Sequence, residues 1–124
     1  MGRAFKFFDS HVSRFHFKEK KAKLHFSFAY IYLEHKADVV WSQEVTVLMD
    51  NAQFETPLPI LPNTVVEGYL MLDGKRYDAI PLPLPEKVYG RIYLKFADEN
   101  ILALQGEHLE IKLLGKKIFL SERS

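Results

Sequence analysis

Arg14-Phe15-His16-Phe17-Lys18-Glu19-Lys20-Lys21-Ala22-Lys23-Leu24-His25-Phe26-Ser27-Phe28-Ala29-Tyr30-Ile31-Tyr32-Leu33 is the stretch that decides the fold class of this chain. Leu24, Phe26, Phe28, Tyr30 and Tyr32 share one parity, while Lys23, His25 and Ser27 hold the other. That is the two-residue period of an extended strand with one buried face. A helix, with about 3.6 residues per turn, would spread these five large side chains around its circumference. From Ala29 onward Ile31 and Leu33 make the second face apolar as well. Such a strand is covered on both sides, by sheet-on-sheet packing or by barrel closure.

Upstream, Phe15 and Phe17 alternate with Arg14, His16 and Lys18, and Glu19-Lys20-Lys21 interrupts the pattern, so the segment reads as a hairpin. A two-residue loop at Lys20-Lys21, or a four-residue loop from Glu19 to Ala22, sets Phe17 opposite Leu24, Phe15 opposite Phe26 and His16 opposite His25. A three-residue loop would put the Phe residues out of register.

The same period continues. Val39, Trp41, Val45, Val47 and Met49 form a third strand, with Gln43 the one polar residue on its apolar side and a break expected at Asp50-Asn51. Pro57, Pro59 and Pro62 exclude both helix and central strand, leaving an extended surface connection. Thr64–Leu72 and Arg76–Leu82 flank Asp73-Gly74, a strong hairpin signal. The second arm runs into Pro81-Leu82-Pro83-Leu84-Pro85 and so ends there or lies at a sheet edge. Ile92, Leu94 and Phe96 precede a turn at Asp98-Glu99-Asn100. Ile101–Leu104, Leu109–Leu113 and Ile118–Leu120 follow, separated by Gly106 and by Gly115-Lys116.

The expected fold is therefore all-β, an antiparallel β-sandwich or partly open β-barrel of about eight or nine strands in one domain. A short helix within Asp38–Met49 or Ile101–Leu113 is the competing reading, because Gln43 and Leu114 spoil perfect alternation.

Composition agrees. The chain has 124 residues, 48% of them hydrophobic, with ten Phe and six Tyr. That supplies enough apolar surface for one core. It has no cysteine, which excludes disulfides, thiolate nucleophiles and Cys-based zinc sites. No stretch approaches the length of apolar residues a membrane helix needs, and the charged N-terminus does not read as a signal peptide. A cytoplasmic location is expected. Net charge is +1, because residues 1–36 hold eight Lys/Arg against three Asp/Glu while the remainder holds nine against thirteen. That balance makes long-range attraction to nucleic acid weak overall.

Catalytic signatures are missing. There is no Gly-rich phosphate loop, nucleophile elbow or His-Glu-x-x-His, the carboxylates are scattered singly, and no cofactor motif occurs. Asp9-Ser10-His11 reads as a turn before the Val12 strand, since neighbours on an extended chain point apart. His16 and His25, side by side in the hairpin register, are a candidate metal pair with Glu19, His11 or His35 as a third ligand. A solvated polar face is the stronger reading, and no metal is assigned. Arg14, His16, Lys18, Lys23 and His25 form a candidate anion-binding face, but the parity of the Phe residues denies it rings on which bases would stack. Trp41, Tyr69, Tyr77, Tyr89 and Tyr93 suggest a sugar platform, though alternation assigns Trp41 to the core.

The residues best suited to function are Phe54, Leu58, Ile60 and Leu61 among one set of prolines and Leu82 and Leu84 among the other. Apolar side chains on proline-stiffened chain lose little entropy on docking. They suit contact with a protein partner or self-association as a homo-oligomer, or else they fold back as lids over the ends of a barrel. The sequence thus points to a non-catalytic protein-binding or assembly module using these loops and a strand edge.

Overall fold

The computed structural model describes residues 2–34, 36–85 and 88–120, and the described residues contain strands and no helix. There are eight strands: β1 (Arg3–Lys18), β2 (Lys21–Leu33), β3 (Lys36–Phe54), β4 (Asn63–Leu72), β5 (Lys75–Tyr77), β6 (Ala79–Leu82), β7 (Gly90–Phe96) and β8 (Ile101–Phe119). All pairings are antiparallel, in the order β5-β4-β7-β8-β3-β2-β1-β6. A further pairing of β1 with β4, through His11 with Thr64 and Val12 with Asn63, closes β1, β2, β3, β8, β7 and β4 into a six-stranded barrel. β5 and β6 lie outside that ring.

These two short strands occupy the wedge where β1 and β4 diverge. β5 pairs with the Leu70–Leu72 end of β4, the chain bends at Asp78, and β6 pairs with Arg3–Lys6 of β1. The arm expected as one strand from Arg76 to Leu82 is thus shared between two partners. At the seam Gly68 is required by close approach: a Cβ there would lie 2.7 Å from the Phe7 Cβ and 2.9 Å from Leu94 Cδ2.

The core holds Phe5, Phe7, Phe26, Ile31, Trp41, Val45, Val47, Leu70, Ile80, Ile92, Leu94, Phe96, Leu102 and Leu104, with further small and aliphatic residues. Phe5, Phe7 and Phe26 pack against one another with ring centroids 4.9 to 5.8 Å apart. Gln43 is buried and satisfied, accepting from Trp41 Nε1 at 3.0 Å and donating to the Gly115 carbonyl at 3.3 Å. Both partners come from the β3–β8 pair, which explains how a polar residue sits on the apolar parity.

Several expected breaks are bulges inside long strands. Asn51 and His108 have φ of 50° and 52°, Gly115 has 70°, and the β3–β8 register shifts around each while both strands continue. A left-handed residue ends a strand only if its partner also stops; beside a continuing partner it adds a bulge and sharpens the twist. Asp9, at φ 64°, is likewise a bulge within β1 and not a turn before Val12, and Ser10 turns inward to donate its hydroxyl to the Phe7 carbonyl.

The β1–β2 hairpin turns at Glu19-Lys20, both at positive φ, with Lys18 paired to Lys21. This is one residue earlier than expected. Phe15 therefore lies opposite Leu24, Phe17 opposite Ala22, His16 opposite Lys23, and Arg14 opposite His25. The even loop length preserves the parity of the Phe residues, but the His16–His25 pairing does not form.

Candidate functional site

The first proline stretch connects β3 to β4 and lies against β1. Phe54 is held edge-on between Phe15 and Phe17, with centroids 5.3 and 5.0 Å away. Phe54 and Leu61 are half-buried against the core and anchor the segment. Between them Leu58 and Ile60 stand out, at 58% and 77% exposure. Ser13, Arg14 and Phe15 of β1 and Leu58, Pro59 and Leu61 of the loop together line a surface cavity of about 270 Å³. Exposed Phe17 meets the same anchor, Phe54, edge-on. The proline loop and the N-terminal hairpin, separate sites in the sequence, thus form one apolar end with Arg14 at its side.

The second stretch does the opposite. Leu82 is in the core at 6% exposure, and Leu84 is half-buried against it. Alternation along β6 turns Ile80 and Leu82 inward beneath the sheet, so Leu82 belongs mainly to the core and shows only a small part of its surface. Phe54, Leu61 and Leu84 act mainly as anchors, leaving Leu58 and Ile60 as the exposed members of the predicted set.

The candidate anion-binding residues are also divided. Arg14, His16, Lys18 and Lys23 are exposed. His25 is buried: its Nε2 lies 2.8 Å from Glu44 Oε2, and the Thr46 hydroxyl lies 3.5 Å from its Nδ1. Burial holds the His25 imidazole below its ordinary pKa, against the opposing pull of Glu44 and with the help of Arg14 and Lys23. In the neutral ring Nε2 donates to Glu44, so His25 belongs to an internal pair and not to an anion site. Among the described residues no group of three or more His, Asp or Glu side chains converges as a metal site. His35, one proposed third ligand, lies outside the described residues.

A feature the sequence hid lies on the outer face of β1 and β2. Both partners of β2 shift register at Ser27-Phe28, so Ala29 and Ile31 are buried whereas Phe28, Tyr30 and Tyr32 face outward. Phe28 stacks on His11 at 5.7 Å with planes 7° apart, Tyr30 meets Phe28 edge-on, and Lys6 Nζ sits over Tyr32. Exposed Phe8 is next to the Asp9 bulge. The switch of Ala29 to the core, a small residue amid aromatics, was the available signal.

The tyrosines do not assemble an open sugar platform. Tyr69 and Tyr93 stack on each other at 4.9 Å, and Arg76 covers Tyr69 at 4.1 Å. Arg91 makes two 2.7 Å bonds to Glu55, and this holds the Glu55 carboxyl below its usual range. Trp41 is buried under Phe119 and Lys117.

The last surface is an edge. β7 pairs with β8 only from Ile101 to Gly106, while β3 pairs with it as far as Phe119. Leu109 N–H still reaches the Val88 carbonyl at 3.0 Å. Beyond it, among the described residues, no strand covers that side of β8. Cavities of about 490 and 290 Å³ lie along this edge, lined by Arg3, Leu82, Pro83, Leu84 and Pro85 on one side and by His108–Ile111 and Leu113 on the other.

Comparison with protein families, with curated proteins and with solved structures gives no match. No helix of the described residues is long and apolar enough to cross a membrane.

Proposed function

We propose that the chain is a non-catalytic protein-binding or assembly module that self-associates through its apolar end. The observation that supports this reading is the exposure of Leu58 and Ile60 on a segment anchored at both sides by Phe54 and Leu61. Pre-ordered apolar side chains gain from burial while losing little conformational freedom. Light scattering during size exclusion tests it. The wild type is expected to associate at micromolar concentration, and Leu58→Asp/Ile60→Asp to be a folded monomer. A monomeric wild type contradicts the reading.

A second reading, binding of single-stranded nucleic acid, is favoured by the outward aromatic strip of Phe28, Tyr30 and Tyr32 with Lys6 over Tyr32, and by Arg14 and Lys23 around His25 further along the same two strands. Rings and cations then share one face, as base stacking with phosphate contact requires. The acidic Glu44 and Asp9 on the same region weaken it. Mobility shift of single-stranded DNA and RNA at low salt, abolished by Phe28→Ala, is its expected outcome. No shift at low salt ends it.

A further inference from the structure

The open edge of β8 has three properties that together specify an occupant. Its backbone is extended and, among the described residues, lacks a strand neighbour on one side from Glu110 to Phe119, a template for one more strand. It borders a groove: Pro83 lines both cavities along it, so they meet there, and the proline segment forms the far wall with Leu82, Leu84, Ile111 and Leu113 as apolar lining. Proline carries no N–H, so Pro83 and Pro85 offer no backbone donor that would compete for the carbonyls of the incoming strand. The edge is also basic: Lys112, Lys116 and Lys117 accompany a single carboxylate, Glu110, and Arg3 lines the groove.

We propose that this edge binds an extended, acidic peptide segment of a partner protein, added as a strand beside Glu110–Leu114. Main-chain hydrogen bonds would supply affinity, and alternate apolar side chains would enter the groove while alternate Asp or Glu side chains meet the lysines. A second copy of the chain fits less well, because edge-to-edge pairing would bring two lysine-rich strands together; lysines on an edge are a common safeguard against such pairing. The inference rests on the reading of this chain as a protein-binding module but uses a different surface from Leu58 and Ile60.

The test is selection from a displayed library of random peptides, followed by titration of the selected peptides into the purified protein. Selected sequences are expected to alternate apolar or β-branched residues with Asp and Glu. Lys112→Glu/Lys116→Glu, both exposed and outside the core, should weaken their binding about tenfold. Leu58→Asp/Ile60→Asp should leave it unchanged, so loss of self-association and loss of peptide binding are separable. The inference is overturned if no peptide is enriched, or if the enriched peptides are basic or bind the double Lys variant as well as the wild type. It is also overturned if the edge is occupied by a second copy, seen as a dimer that Lys112→Glu/Lys116→Glu alters and Leu58→Asp/Ile60→Asp does not.

Discussion

His25 is buried in the middle strand of the β1–β2–β3 sheet, flanked across the strands by Arg14 and Thr46 and held by Glu44. Its imidazole titrates below the ordinary value of 6.5 because burial penalises the charged form more than Glu44 rewards it. An unfolded chain therefore takes up this proton at a higher pH than the folded one. The contribution to stability is fully present above about pH 6.5 and declines as pH falls toward the lowered folded value. Urea unfolding at pH 7.5 and 5.5 is expected to show the wild type losing stability on acidification, and His25→Gln losing less. An equal loss in both proteins would assign the acid sensitivity elsewhere. Leu82 and Leu58 make a second contrast between single residues. Leu82→Ala, inside the core, is expected to cost about 2–5 kcal/mol, whereas Leu58→Ala on the exposed loop should stay within about 0.5 kcal/mol. Thermal unfolding of the pair measures both.

At the scale of elements, strand parity was legible wherever the pairing is regular. Trp41, Val45, Val47, Ile92, Leu94 and Phe96 are buried as alternation requires. What could not be read was where alternation is interrupted. The bulges at Asp9, Ser27-Phe28 and Asn51 depend on which partner strand continues alongside, and that is a long-range fact. Each interruption changes which side chains reach the surface, so the aromatic strip of β2 and the burial of Ser10 were invisible from local pattern. The one-residue advance of the hairpin turn to Glu19-Lys20 has a similar origin. A pair of positive-φ positions suits the twist of a tight two-residue hairpin, and it separated His16 from His25. The seam between β1 and β4 makes its own prediction. Gly68→Ala would force the added methyl against Phe7 and Leu94, at an expected cost of about 1–3 kcal/mol by denaturant unfolding. A neutral effect would mean that the seam is looser than the Cβ distances imply.

At the scale of the molecule, closure leaves the barrel with few ways to meet a partner. Most strand edges are paired, since β4 meets β1 and β5–β6 fill the wedge beside them. The candidate contacts are the anchored loop carrying Leu58 and Ile60, the aromatic face of β2, and the single-sided stretch of β8. Of these, the sequence indicated the loop and, in general terms, an edge. It could not say which edge, because the β7 side of β8 is bonded as far as Leu109 and, among the described residues, is open from Glu110. It also could not say that the second proline stretch, with Leu82 and Leu84, serves the core. That division of β8 is the feature on which the barrel and its proposed peptide site both depend. Residue-resolved amide exchange on the monomeric Leu58→Asp/Ile60→Asp protein reads it directly. Leu102 and Leu104 should exchange slowly, and between Glu110 and Leu114 slow amides bonded to β3 should alternate with fast, unbonded ones. Uniformly slow exchange from Glu110 to Phe119 would contradict the account.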